Sequence, residues 1–323
     1  MSLEPHVPKF ASAYPPRSRR KTTPARKALL MLIVLLLGLG SIYLAGMQAA
    51  PANPSITGPH NKDVSMAQMD EVNPPEGYAV PAVLGDAGPQ LLAVGAIDML
   101  QFPYVYEKAG SPLTEEQIAI LNKGSSSPIV INRENAYFLL NFFWAFGLTN
   151  KNPVLTEGAM MAGGRDHAGK FASTGGWTVG AKPPMELYAS AVIVALTEEQ
   201  QARLLKVASA VYRPCCNNAT HFPDCNHGMA MLGLLELMAS QDASEDEMFD
   251  AAKYVNAYWY PQQTLEIATY FRANKNTDFA QADARDVVSQ QVSSSSGFQG
   301  VHSWLVSNGL LPQAPNSGGS CGV

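Results

Sequence analysis

Cys215, Cys216 and Cys225 fall within one run of thirteen residues with His221 and His227, so three of the four cysteines and two of the six histidines of this chain are local to one another. With its flanks the run reads Arg213-Pro-Cys-Cys-Asn-Asn-Ala-Thr-His-Phe-Pro-Asp-Cys-Asn-His-Gly-Met-Ala-Met231. Thiolate and imidazole together suit Zn²⁺, and two cysteines with two histidines close a tetrahedron. Thiolate, imidazole and thioether together suit copper, above all Cu(I). The metal ligands expected are therefore Cys215, Cys216, His221, Cys225 and His227. Additional ligands could come from Met229 and Met231, which follow His227, and from Met160, Met161 and His167 in a Gly-rich stretch. Met231 is also one of an apolar stripe with Leu234, Leu235 and Met238, the pattern of a core helix face.

Two other chemistries use the same residues. In an oxidising compartment, Cys215 or Cys216 can pair with Cys225 as a structural staple, with Cys321 pinning the tail. Adjacent Cys215 and Cys216 would form only a strained bond. Alternatively, Cys225 serves as a reactive thiolate in a thiol-disulfide or metal-dependent redox enzyme. It precedes an apolar helical stretch, where free N–H groups and the helix dipole favour a thiolate. Asp224 or Asn226 is expected to cap that helix.

The sequence lacks a Gly-x-Ser-x-Gly elbow, a phosphate-binding Gly-x-x-x-x-Gly-Lys-Ser/Thr and a His-Glu-x-x-His helix. It also lacks a Cys-x-x-Cys redox or haem motif. His6, His60 and His302 lie in terminal or flexible context and receive no role.

The loop needs helices on either side, and the sequence supplies them. Capping boxes stand at Thr114-Glu-Glu-Gln117, Thr197-Glu-Glu-Gln200 and Ser244-Glu-Asp-Glu247. The second should open a helix running to about Tyr212, ahead of Pro214. The third should carry Tyr254, Tyr258 and Trp259 into the core, with Tyr260 beside them, until Pro261 breaks it. Further helices are expected at Leu91–Met99, Arg133–Leu148 and Gly228–Ser240. Strands are expected only at Pro128–Ile131 and Trp177–Gly180. Leu113-Thr-Glu-Glu-Gln resembles Leu196-Thr-Glu-Glu-Gln, and each is followed by a loop and an apolar helix. Two helix-loop-helix repeats are thus one reading, with the Cys/His loop, 214–227, added to the second.

The expected fold class is mainly α, and the organisation follows from charge and punctuation. Residues 1–27 form a basic tail: seven Lys and Arg stand in 1–47 against Glu4, leaving 15 basic and 26 acidic residues beyond, a net charge of −11. Residues 28–47 carry no charge, and about 20 apolar residues span a bilayer core. They read as a single N-terminal transmembrane helix, a signal-anchor longer than a cleaved signal's apolar core. Basic residues before it place the N-terminus in the cytoplasm and the body in the periplasm or at the cell surface. The membrane is thus one partner and an envelope protein another. The acidic body excludes nucleic acid as a partner. Prolines mark 48–85 as a linker, 86–290 as the helical extracytoplasmic domain, and 291–323 as a flexible C-terminal segment. The expected function is a membrane-anchored extracytoplasmic protein that binds copper or zinc, with a role in metal binding, delivery or sensing.

Overall fold

The computed structural model describes residues 68–311. The basic tail, the apolar segment 28–47, the first part of the linker and the tail bearing Cys321 lie outside the described residues. Among the described residues, no helix is long and apolar enough to cross a membrane. The chain is mainly helical there, as expected.

Two apolar helices form the centre. Helix α4 (Ala136–Thr149) and helix α6 (Asn226–Ser240) are buried around almost their whole circumference, as helices without a polar face must be. Their backbones touch at glycines. A Cβ on Gly147 would stand 2.1 Å from the Met229 carbonyl oxygen, and one on Gly233 would stand 2.5 Å from that of Phe143. The side chain of Glu236 is fully buried in this helix pair.

Helices α1 (Ala87–Ala93), α2 (Gln101–Lys108), α3 (Glu115–Lys123), α5 (Glu198–Ala208) and α7 (Glu245–Trp259) pack around the pair. All three capping boxes form: Thr114, Thr197 and Ser244 each accept from the amide three residues on, and the Gln or Glu there reaches back. Helix α1 begins earlier than the expected Leu91 and stops at Ala93, because Gly95 takes φ +78°.

Four local expectations need correction. Strand β1 (Tyr78–Gly85) lies inside the stretch read as linker. It pairs antiparallel with β2 (Ser125–Ile131), burying Val80, Ala82 and Leu84 on one face. The ribbon has only two strands, so Pro81 and Pro128 fall where no ladder bond is required, beside the register shift between Val80 and Val83. Because β2 follows α3, the two capping-box units differ: one is helix-strand-helix, the other helix-loop-helix. Trp177–Gly180 is not a strand; its backbone instead meets the Gly95–Asp98 turn through Asp98 N–H to the Val179 carbonyl and Ala181 N–H to that of Gly95.

The Ser-rich stretch at 289–300 is helical, not flexible. Ser294 caps helix α9 (Ser295–Ser307), which buries Val301 and Leu305. Pro261 ends α7 but also opens α8 (Pro261–Lys275), since proline suits the first helical position. Helices α8 and α9 share a second apolar cluster that includes Leu265, Ile267, Phe271 and Phe279.

Candidate metal centre

The 17 residues between α5 and α6 fold back on themselves. His221 N–H donates to the Ala208 carbonyl at 3.0 Å, and Thr220 donates to the Val211 carbonyl through both its N–H and its hydroxyl, each at 2.9 Å. From outside, α9 holds the loop: Ser295 N–H donates to the Cys216 carbonyl at 2.9 Å and Ser296 N–H to Asn217 Oδ1 at 2.8 Å. These bonds return Cys215 and Cys216 to the first turn of α6. There Cys225 is itself the N-cap, accepting from Gly228 N–H at 3.3 Å. The expected caps, Asp224 and Asn226, do not fill that position.

The three sulfurs converge. Cys215 Sγ lies 3.3 Å from Cys225 Sγ and 3.9 Å from Cys216 Sγ, and Cys216 Sγ lies 3.9 Å from Cys225 Sγ. All three are free thiols, since a disulfide needs about 2.05 Å. A metal with sulfur bonds of about 2.3 Å sets its sulfurs about 3.8 Å apart in a tetrahedron and about 4.0 Å apart in a plane. Two edges of the triangle already fit, and the third must open by about half an ångström. The three cysteines therefore lie close enough to hold a metal ion.

Arg213, which the sequence reading did not single out, organises this triangle. Its side chain is 1% exposed. Nε donates to Cys225 Sγ at 3.1 Å, one Nη donates to Asp224 Oδ1 at 3.0 Å and the other to the Asn218 carbonyl at 2.9 Å. Asn218 Nδ2 donates to the second Asp224 oxygen at 2.8 Å. The guanidinium lies flat on the start of α6, where a Cβ at Gly228 would be 2.2 Å from an Nη. Tyr260 was expected to pack in the core. It does, and its hydroxyl also donates to Cys215 Sγ at 3.0 Å.

This environment divides the thiols. Hydrogen bonds from Cys215 and Cys216, helped by the Arg213 charge, hold Cys225 well below the ordinary thiol range although burial opposes them. The hydrogen bond from Cys216 acts to lower Cys215, but its bond to Cys225 and the Cys225 charge push it up to about 11. Cys216 is raised by its bonds to Cys215 and Cys225. Burial alone would lower Arg213, yet the three sulfurs keep it charged. Of the three sulfurs, Cys225 is thus the one most favoured as a thiolate, beside the buried Arg213 cation.

The histidines stand elsewhere. Among the described residues, the close group of ligand atoms contains the three cysteines and neither His221 nor His227. His227 is buried, its Nδ1 lies 2.9 Å from Asn226 Oδ1, and its ring packs 4.5 Å from that of Tyr260. Burial lowers it to about 4, against the pull of Cys225. The His221 Nδ1 is buried and has no hydrogen-bond partner among the described residues. His167 sits on a short exposed turn with its ring against Phe171, and is likewise outside the sulfur group. Met160, Met229 and Met231 are fully buried core side chains, and Met161 packs against the same core. Comparison with known protein families, with characterised proteins and with solved structures finds no match to this chain.

Proposed function

We propose that this chain is a membrane-anchored extracytoplasmic protein that binds one soft metal ion through Cys215, Cys216 and Cys225, with copper(I) ahead of zinc. Its role is metal binding, delivery or sensing; delivery would require an envelope protein as recipient. The observation that carries this reading is the convergence of three sulfurs, 3.3 to 3.9 Å apart, beside a buried guanidinium. Three thiolates around one ion carry excess negative charge, and Arg213 offsets part of it in a place that water does not reach. Structural zinc sites are almost always four-coordinate. The sulfur group has three members, which favours a thiophilic ion content with sulfur ligands alone. The anchor and compartment rest on the uncharged segment 28–47 and the basic residues ahead of it.

The test is metal analysis of the full chain, purified in detergent under reducing conditions without chelator. One copper or zinc per chain is expected, and Cys215→Ser, Cys216→Ser and Cys225→Ser should each abolish it. His167→Ala and Met231→Leu should retain it. A metal-free parent, or a metal content that survives all three serine changes, would end this reading.

A further inference from the structure

We propose that Cys225 and Cys215 also form a thiol-disulfide couple, in which Cys225 attacks an external disulfide and Cys215 resolves the product. The three sulfurs are not equivalent, and their differences select this pair. Cys215 and Cys225 are the nearest at 3.3 Å, while both distances to Cys216 are 3.9 Å. Closing to a disulfide length takes a further approach of about 1.3 Å. Cys215 and Cys216 are adjacent in the chain, where a bond is strained. Cys216 is also held away: its carbonyl is tied to Ser295 of α9, and its Sγ faces the Asn218 carbonyl at 3.8 Å.

The two partners are built for different steps. Two N–H groups point at Cys225 Sγ: Arg213 Nε at 3.1 Å and Gly228 at 3.3 Å, the latter at the start of a 15-residue helix. Donors of this kind stabilise sulfur as the thiolate, which is the attacking species. Cys215 is exposed and Cys225 half-buried, and the Tyr260 hydroxyl donates to Cys215 Sγ at 3.0 Å.

The reaction balances without a metal. The Cys225 thiolate attacks one sulfur of a small disulfide R–S–S–R, forming a mixed disulfide and releasing RS⁻. That thiolate takes the proton of Cys215. Cys215 then attacks Cys225 Sγ, forms the Cys215–Cys225 bond and expels the second RS⁻. The substrate disulfide is reduced to RSH and RS⁻, and the protein dithiol is oxidised. The oxidised loop no longer offers three thiolates, so oxidation and metal binding exclude one another. The proposal uses the sulfurs of the metal centre but does not depend on a metal being bound there.

The experiment uses the reduced, chelator-treated full chain with oxidised glutathione, followed by alkylation and mass spectrometry. Cleavage before Asp224 separates Cys225 from Cys215 and Cys216, and a Cys216→Ser chain removes the remaining ambiguity. The expected result is two glutathione equivalents released per chain and a Cys215–Cys225 cross-link, kept in Cys216→Ser. Cys215→Ser should stop at glutathione on Cys225. Cys225→Ser should react at least about tenfold more slowly, because the thiolate attacks. A cross-link that needs Cys216, a mixed disulfide that persists in the parent, or no reaction would each overturn the couple. Copper binding is measured on a parallel reduced sample. A cross-link without copper binding removes only the metal reading, and copper binding without a cross-link removes only the couple.

Discussion

A single arginine does most to make the loop into a site. Arg213 is fully buried and bonded at once to Cys225, Asp224 and the Asn218 carbonyl. Removing it leaves Cys225 Sγ and the Asp224 carboxylate without their donor. We predict that Arg213→Ala lowers stability by roughly 3–5 kcal/mol in urea unfolding, the usual cost of breaking a buried pair. Arg213→Lys should recover part of this, because a lysine keeps the charge but not the three-way fork. An Arg213→Ala chain as stable as the parent would show that Arg213 does not hold the loop together. Glu236 makes the opposite case. Burial pushes its carboxyl well above the ordinary range, with only the Asn150 hydrogen bond opposing. The unfolded chain ionises it above about pH 4, while the fold keeps it protonated. Its contribution is therefore fully present below that pH and is lost as pH rises towards the folded value. Glu236→Gln should leave thermal stability unchanged near pH 4 and raise it at pH 7; equal melting at both would contradict this.

Helix α6 transmits the packing of the core to the sulfurs, since Cys225 caps its start and its middle lies on α4. Ala at Gly147 would drive a methyl into the Met229 carbonyl, one turn from Cys225. We expect Gly147→Ala to cost about 1–3 kcal/mol, as overpacking does, and to weaken metal binding as well. Unchanged melting and affinity would show that the contact yields freely. The capping boxes and the two apolar helices were readable from sequence because caps and periodicity are local signals. The Cys225 helix start was readable for the same reason. Strand β1 was not: Pro81 reads as a breaker until one knows that the ribbon has only two strands. Helix α9 was missed because serines that cap a helix look like linker serines until Val301 and Leu305 find α8. The sulfur triangle was half legible. Its cysteines were visible, but Arg213 and Tyr260 join it only through the fold, and His227 turns to Tyr260 instead.

At the scale of the whole chain, the proposed extracytoplasmic placement rests on the lopsided charge of the N-terminal segment. A reporter active only in the cytoplasm, fused after Val323, should be silent, and a bright signal would overturn the compartment. Metal binding should also contribute to folding, since bound ligand stabilises the state that holds it. Chelation should lower the melting temperature of the reduced parent and leave Cys216→Ser little changed. A parent insensitive to chelator but destabilised by reductant would point to disulfides instead. The most direct test is X-ray absorption at the copper edge on the reduced full chain loaded with one equivalent of copper(I). A first shell of three sulfurs and no imidazole nitrogen is expected. A shell containing nitrogen, or copper that a competing chelator strips as readily from the parent as from Cys216→Ser, would contradict it.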